Sequence, residues 1–137
     1  MAPPRTSLFR AASAVVSTAA IIKLSEVLQT GPADAPTALL VMATAALLQW
    51  AVLDGTAASL AAAVATAVGG PLSELPFVAS GCWHYVDSAA DYFPLASIGE
   101  MIGDGGLGAI ALSSITGPCY FAVTMDAIAL RRYFDDN

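Results

Sequence analysis

His84 is the single histidine of the chain. One imidazole excludes a bis-histidine haem and argues against a multi-histidine metal centre. It is enough for the axial ligand of a chlorophyll magnesium, which needs one lone pair in an apolar setting. The plainer reading is an interfacial histidine hydrogen-bonded beside Trp83 and Tyr85. Gln49, Glu74, Glu100 and Asp126 can also ligate magnesium, directly or through water, or can serve as capped or paired polar residues. Asp126 stands near the end of an apolar window, in TMDAIALRR, where an acidic side chain is a functional candidate by default. Arg131 and Arg132 lie five and six residues beyond it, so neither makes the favoured i,i+4 pair.

Catalytic constellations fail on inspection. Asp54 and Asp104 invite an intramembrane aspartyl protease, but Met101-Ile102-Gly103-Asp104 has Met101 where the Gly-x-Gly-Asp motif has its first Gly. A rhomboid-type Gly-x-Ser-Gly is missing, and so are a P-loop and a Gly-x-Gly-x-x-Gly after a strand. Cys82 and Cys119 lack metal-ligand spacing. With one expected in a loop and the other in a span, they are not expected to form a disulfide. The chain therefore reads as a non-enzyme.

The elements that hold these residues are set by where charge is missing. Of 137 residues, 57% are apolar, five are basic and eleven acidic, for a net charge of −6. A soluble domain carries about 25% charged residues, and this chain carries 12%. That is too little for a charged skin. The same balance excludes disorder and makes nucleic-acid binding improbable. Windows 35–53, 55–73 and 105–125 contain no charge at all. A membrane-spanning helix needs about 20 apolar residues, and each window meets that length. Helix is favoured over strand because Ala and Leu dominate, and because a lipid-exposed backbone must bond to itself.

Residues 8–28 contain Arg10, Lys23 and Glu26, and the stretch between the two basic residues is short. Long basic side chains reach the interface on their own stems, so a span is expected. An amphipathic surface helix and an Arg- and Ser-rich targeting peptide are the competing readings. The expectation is an all-α integral membrane protein, one domain over 1–137. Its spans are 8–28, 37–53, 56–69 and 105–130, with an interfacial loop at 70–104.

Arg5 and Arg10 precede the first span, and Arg131 and Arg132 follow the last. The positive-inside rule places both ends on one, cytoplasm-like side, which needs an even number of spans. Gly69-Gly70-Pro71 is expected to stop the third helix. The loop that follows holds Glu74, Asp87, Asp91, Glu100 and Asp104, with no Lys or Arg. Its Phe77, Trp83, Tyr85, Tyr92 and Phe93 suit short interfacial helices, near 75–86 and 95–101. Ala57, Ala61, Ala65 and Gly69 recur every four residues and are expected to form a close-packing helix face. Helix propensity alone explains the same alanines. Gly99 and Gly103 match a GxxxG pattern but lie in a glycine-dense stretch read as loop.

The plan as a whole resembles the small accessory subunits of photosynthetic membrane complexes, of the photosystem–antenna supercomplex type. It is a likeness of general plan: an Ala- and Gly-rich multi-span chain, an acidic loop on one face and basic ends on the other. The chlorophyll a/b antenna signature is absent, since Glu26, Glu74 and Glu100 are each followed by the wrong residues. The resemblance implies a structural role in the thylakoid membrane, with termini on the stromal side and the acidic loop in the lumen. Partner subunits and the lipid bilayer would surround the chain. It would hold one or a few pigments, chlorophyll or carotenoid, with His84 the first ligand candidate. The competing expectation is a small transporter or ligand-binding protein using Asp126, Glu74 or Gln49, and the competing location is a bacterial inner membrane. A lipid-modifying enzyme ranks third, for want of a catalytic set.

Overall fold

The computed structural model describes residues 7–85, 89–90 and 113–136. Among them are four helices and no strand. Helix α1 (Leu8–Thr30) starts at Ser7, whose hydroxyl accepts from the Arg10 amide at 3.3 Å. Helix α2 (Ala35–Leu53) starts at Asp34, whose carboxylate accepts from the Thr37 amide at 3.0 Å, with Pro36 in the first turn. Helix α3 (Ala57–Ala79) starts at Thr56, which accepts from the Ser59 amide at 3.3 Å. All three caps are short oxygen-bearing side chains that satisfy an otherwise orphaned N–H. The turn between α2 and α3 is tight because Gly55 takes φ 66°, a left-handed conformation open to glycine. Helix α4 covers Thr116–Asp136 and tolerates Pro118 in its first turn, where no intrahelical donor is needed.

The third helix does not stop at Gly69-Gly70-Pro71. It runs through Pro71 and Pro76 to Ala79. A proline here deprives the carbonyl four residues earlier, that of Ala67, of its helical donor. The partner helix comes close at that point. A Cβ on Gly117 of α4 would lie 2.9 Å from the Ala67 oxygen, so only a glycine fits there. A neighbouring helix backbone against a freed carbonyl is how proline survives inside membrane helices. The expected interfacial helix at 75–86 is therefore partly the end of α3. The one at 95–101, the GxxxG pair and Asp104 lie outside the described residues. So do residues 105–112 of the last expected span, and the helix that is described there continues past residue 130.

Helices run alternately up and down. Thr18 meets Ala122 and Gln29 meets Ser113, which sets α1 antiparallel to α4. The α2–α3 turn and both described ends of the chain then share one end of the bundle. Helix α4 is central: it packs on α1, α2 and α3, while α1 and α2 also pack on each other. Three core clusters are strung along it, each including α4 side chains. They are Ile21, Ala38, Met42 and Ala122 with Ile115 just ahead of α4; then Ala46, Ala63, Phe121 and Met125; then Ala14, Leu53 and Ala129. Alanine fills half of these sites, which lets the helix axes approach.

The small-residue face of α3 is not the one expected. Ala57, Ala61, Ala65 and Gly69 are all exposed, and nothing lies within 4 Å of a Cβ built on Gly69. Contact with α4 runs along the opposite side, through Ser59, Ala63, Ala67, Gly70 and Glu74. Helices α1, α2 and α3 are long and apolar enough to cross a membrane. Their outward faces carry large apolar side chains such as Phe9, Leu40 and Val52, 82%, 68% and 71% exposed. Such a surface matches hydrocarbon rather than water.

Candidate functional site

Polar side chains gather at three levels of the bundle. At the end that holds the α2–α3 turn, Arg132 of α4 forms an ion pair with Asp54, whose side chain is only 3% exposed. The second carboxylate oxygen of Asp54 accepts from the Thr56 amide at 3.3 Å and from the Thr56 hydroxyl. The indole of Trp50 donates to the Thr56 carbonyl at 3.0 Å and to the Ser59 hydroxyl at 3.2 Å. The turn is thus fastened both to α4 and across its own two helices. Arg131 points elsewhere, to Asp135 at 3.3 Å on the exposed side of α4. Neither arginine serves Asp126.

At mid-bundle, Gln49 of α2 is 5% exposed. Its amide nitrogen donates to Ser17 Oγ at 2.9 Å and to Thr18 Oγ1 at 2.8 Å. Those hydroxyls in turn donate to the carbonyls of Ala14 at 3.0 Å and Ala122 at 3.2 Å. One side chain so ties α1, α2 and α4 together. Its Oε1 is buried and has no donor among the described residues. Asp126 Oδ1 is likewise buried without a donor among them.

At the far end, Glu74 of α3 accepts from Tyr85 at 2.6 Å and from Tyr120 at 2.8 Å, and the Tyr85 and Thr116 hydroxyls are 2.9 Å apart. The ring of Tyr120 lies over Gly70: a Cβ there would come within 2.5–2.7 Å of it. Burial, and then the neighbouring Glu74 carboxylate, push the Tyr85 phenol well above its ordinary value. His84 stands exposed beside this cluster in sequence, between Trp83 and Tyr85, whose rings meet edge to face at 5.0 Å. Glu100 lies outside the described residues.

The expected ligand candidates are therefore not brought together. Gln49 and Glu74 belong to separate networks at different levels, and His84 joins neither. Among the described residues no three of His, Cys, Asp and Glu gather as a metal site. Cys82 and Cys119 are free thiols. Arg132, Tyr120, Thr18 and Ser17, which complete the networks, carry little signal of their own. A Thr and a Gln inside otherwise apolar windows are the one visible hint. Among the described residues the arrangement joins helices and brings no nucleophile, base and oxyanion donor together. No protein-family model, curated protein or solved structure matches the chain.

Proposed function

We propose that this chain is a non-catalytic accessory subunit of a multi-subunit membrane complex, crossing the bilayer four times with α4 as the fourth span. One observation carries the reading: the buried polar groups on the helices are mostly bonded to one another at helix–helix contacts, while α3 is left with a broad exposed apolar side. Asp54 with Arg132, Gln49 with Thr18, and Glu74 with two tyrosines are joints rather than reaction groups. Helix α3 packs chiefly on α4 and turns Ala57, Ala61, Ala65 and Gly69 outward, where a partner helix can approach closely.

Within this reading a photosystem–antenna supercomplex is the complex we favour, on the general plan of the chain. His84, exposed at the Glu74 end of the bundle, is the residue we assign to pigment. Purification in mild detergent under a tag tests both parts. A high-molecular-weight complex supports the subunit role, and chlorophyll or carotenoid absorption in it supports the photosynthetic assignment. A stable pigment-free monomer overturns both, and a pigment-free complex overturns the second alone.

Asp126 favours a second reading, a small transporter, because one of its carboxylate oxygens is buried without a donor among the described residues. In that case Asp126→Asn abolishes uptake into vesicles. Unchanged uptake removes the reading.

A further inference from the structure

We propose that the recess between the start of α3 and the last turns of α4 binds an anionic phospholipid, its phosphate held by Arg131 and Arg132 and an acyl chain lying in the seam between the two helices. The inference rests on the helices lying in a bilayer; it needs no partner subunit, no pigment and no role for Asp126. The recess has a volume of about 350 Å³ and is lined by Ala58 and Ser59 of α3 and by Ile128, Arg131, Arg132 and Asp135 of α4. It lies at the end of the bundle that holds the α2–α3 turn, where the basic residues place the cytoplasm-like side. Basic pockets between membrane helices on that side are where anionic headgroups bind.

Charge decides what fits the recess. Asp54 is 3% exposed and does not line it, so its acid presents little to a ligand there. Asp135 is the one lining acid, and it meets Arg131 through a single contact at 3.3 Å between side chains 82% and 66% exposed. Such a surface pair is worth little, so a phosphate can take the place of Asp135. A guanidinium carries five N–H donors. Asp135 takes Nε of Arg131 and Asp54 takes Nη1 of Arg132, which leaves each arginine with donors beyond these contacts. Their planar fork matches phosphate oxygens. Ser59 adds no proton, since its hydroxyl donates to the Thr56 carbonyl at 2.9 Å.

The seam supplies the place for the tail. Ala58, Ala62 and Thr66 recur every four residues on α3, as do Ile128 and Thr124 on α4, so each set shares one helix face. The Thr66 and Thr124 hydroxyls lie 2.6 Å apart on an exposed side, which brings the two faces together. Both hydroxyls also bond to carbonyls of their own helices. From the recess the seam therefore runs toward mid-bilayer with exposed Ala58 and Ala62 methyl groups along it. A cationic recess above an apolar seam fits an amphiphilic anion.

Native mass spectrometry of the full chain tests this, after release from vesicles of equal phosphatidylglycerol and phosphatidylcholine with the same acyl chains. Phosphatidylglycerol is expected to dominate the retained lipid, and Arg131→Gln to cut that preference about fivefold. Asp135→Asn is expected to raise it, because the acid that competes for Arg131 is gone. Arg10→Gln, at the same end of the bundle but on α1 and outside the recess, is expected to leave it unchanged. No preference in the wild type, a preference that survives Arg131→Gln or falls in Asp135→Asn, or an equal loss in Arg10→Gln overturns the proposal. Millimolar inorganic phosphate is expected to leave the lipid in place. Displacement by it would assign the recess to a free anion and overturn the lipid.

Discussion

Gly69 and Gly70 are adjacent in sequence and opposite in consequence. A methyl group at Gly69 meets open space, whereas at Gly70 it meets the Tyr120 ring, which Glu74 holds by its hydroxyl. Gly70→Ala is expected to lower stability by about 1–3 kcal/mol through overpacking. Gly69→Ala is expected to be neutral or to gain up to about 1 kcal/mol from helix propensity. Unfolding of the two variants in detergent separates these outcomes. The arginine pair gives a similar contrast. Removing Arg132 leaves the Asp54 carboxylate buried without its counter-ion, a loss of about 3 kcal/mol. Arg131, 82% exposed, is worth less than about 1 kcal/mol. Arg132→Met should therefore unfold far more readily than Arg131→Met.

Tyr85 yields a pH dependence. Its phenol is held neutral by burial and by Glu74, so its folded value lies above the ordinary 10.0. A raised value means the contribution to stability is complete below about pH 10 and is lost as pH climbs through the folded value. The stability gap between the wild type and Tyr85→Phe should be constant from neutral pH to about 10 and should close above it. A gap that instead widens with alkali would contradict the Tyr85–Glu74 hydrogen bond. Glu74 was visible in the sequence as an isolated acid; its two phenolic partners were not, because one sits beyond α3 and the other on α4.

At the scale of elements, helix starts were legible and helix faces were not. Ser7, Asp34 and Thr56 are capping residues immediately before apolar runs, and α1, α2 and α3 begin there. The end of α3 was misread because proline was judged by its effect on a lone helix. Gly117, far along the chain, is what lets α4 close over the carbonyl that Pro71 frees. Gly117→Ala should accordingly push α3 and α4 apart and cost about 1–3 kcal/mol, with a loss of the Tyr120–Glu74 contact readable by tyrosine fluorescence. The packing face was misplaced for a related reason. In so alanine-rich a helix nearly every face is small, so spacing cannot single one out. What selected the true face was Gly70 and Glu74, the residues with a specific partner on α4.

For the molecule as a whole, the alternating helix directions put the two described ends of the chain together and Cys82 at the opposite end. If α4 crosses the bilayer, the sides are opposite as well. An impermeant maleimide should label Cys82, which is exposed, from one side of sealed vesicles. A cysteine placed at Phe134, also exposed, should label from the other. Labelling of both from one side would mean that α4 does not cross. Two of the three charge-free windows became long apolar helices, α2 and α3, because lipid imposes that signal on composition; α1 is equally apolar despite Arg10, Lys23 and Glu26. The windows were silent on which helix lies in the middle, since α4 carries Asp126 and two arginines and is the least lipid-like of the four.

That central place has a consequence in time. The ribosome makes α4 after α1, α2 and α3, yet α4 is the helix on which those three converge. Three apolar helices are synthesised before the element that organises them exists, and α3 has almost nothing to lean on until then. Consolidation must wait for the final turns of α4, when Arg132 reaches Asp54 and secures the α2–α3 turn. A nascent chain that has not yet reached those turns holds three helices with nothing to converge on, so the synthesis of α4 acts as the checkpoint for folding.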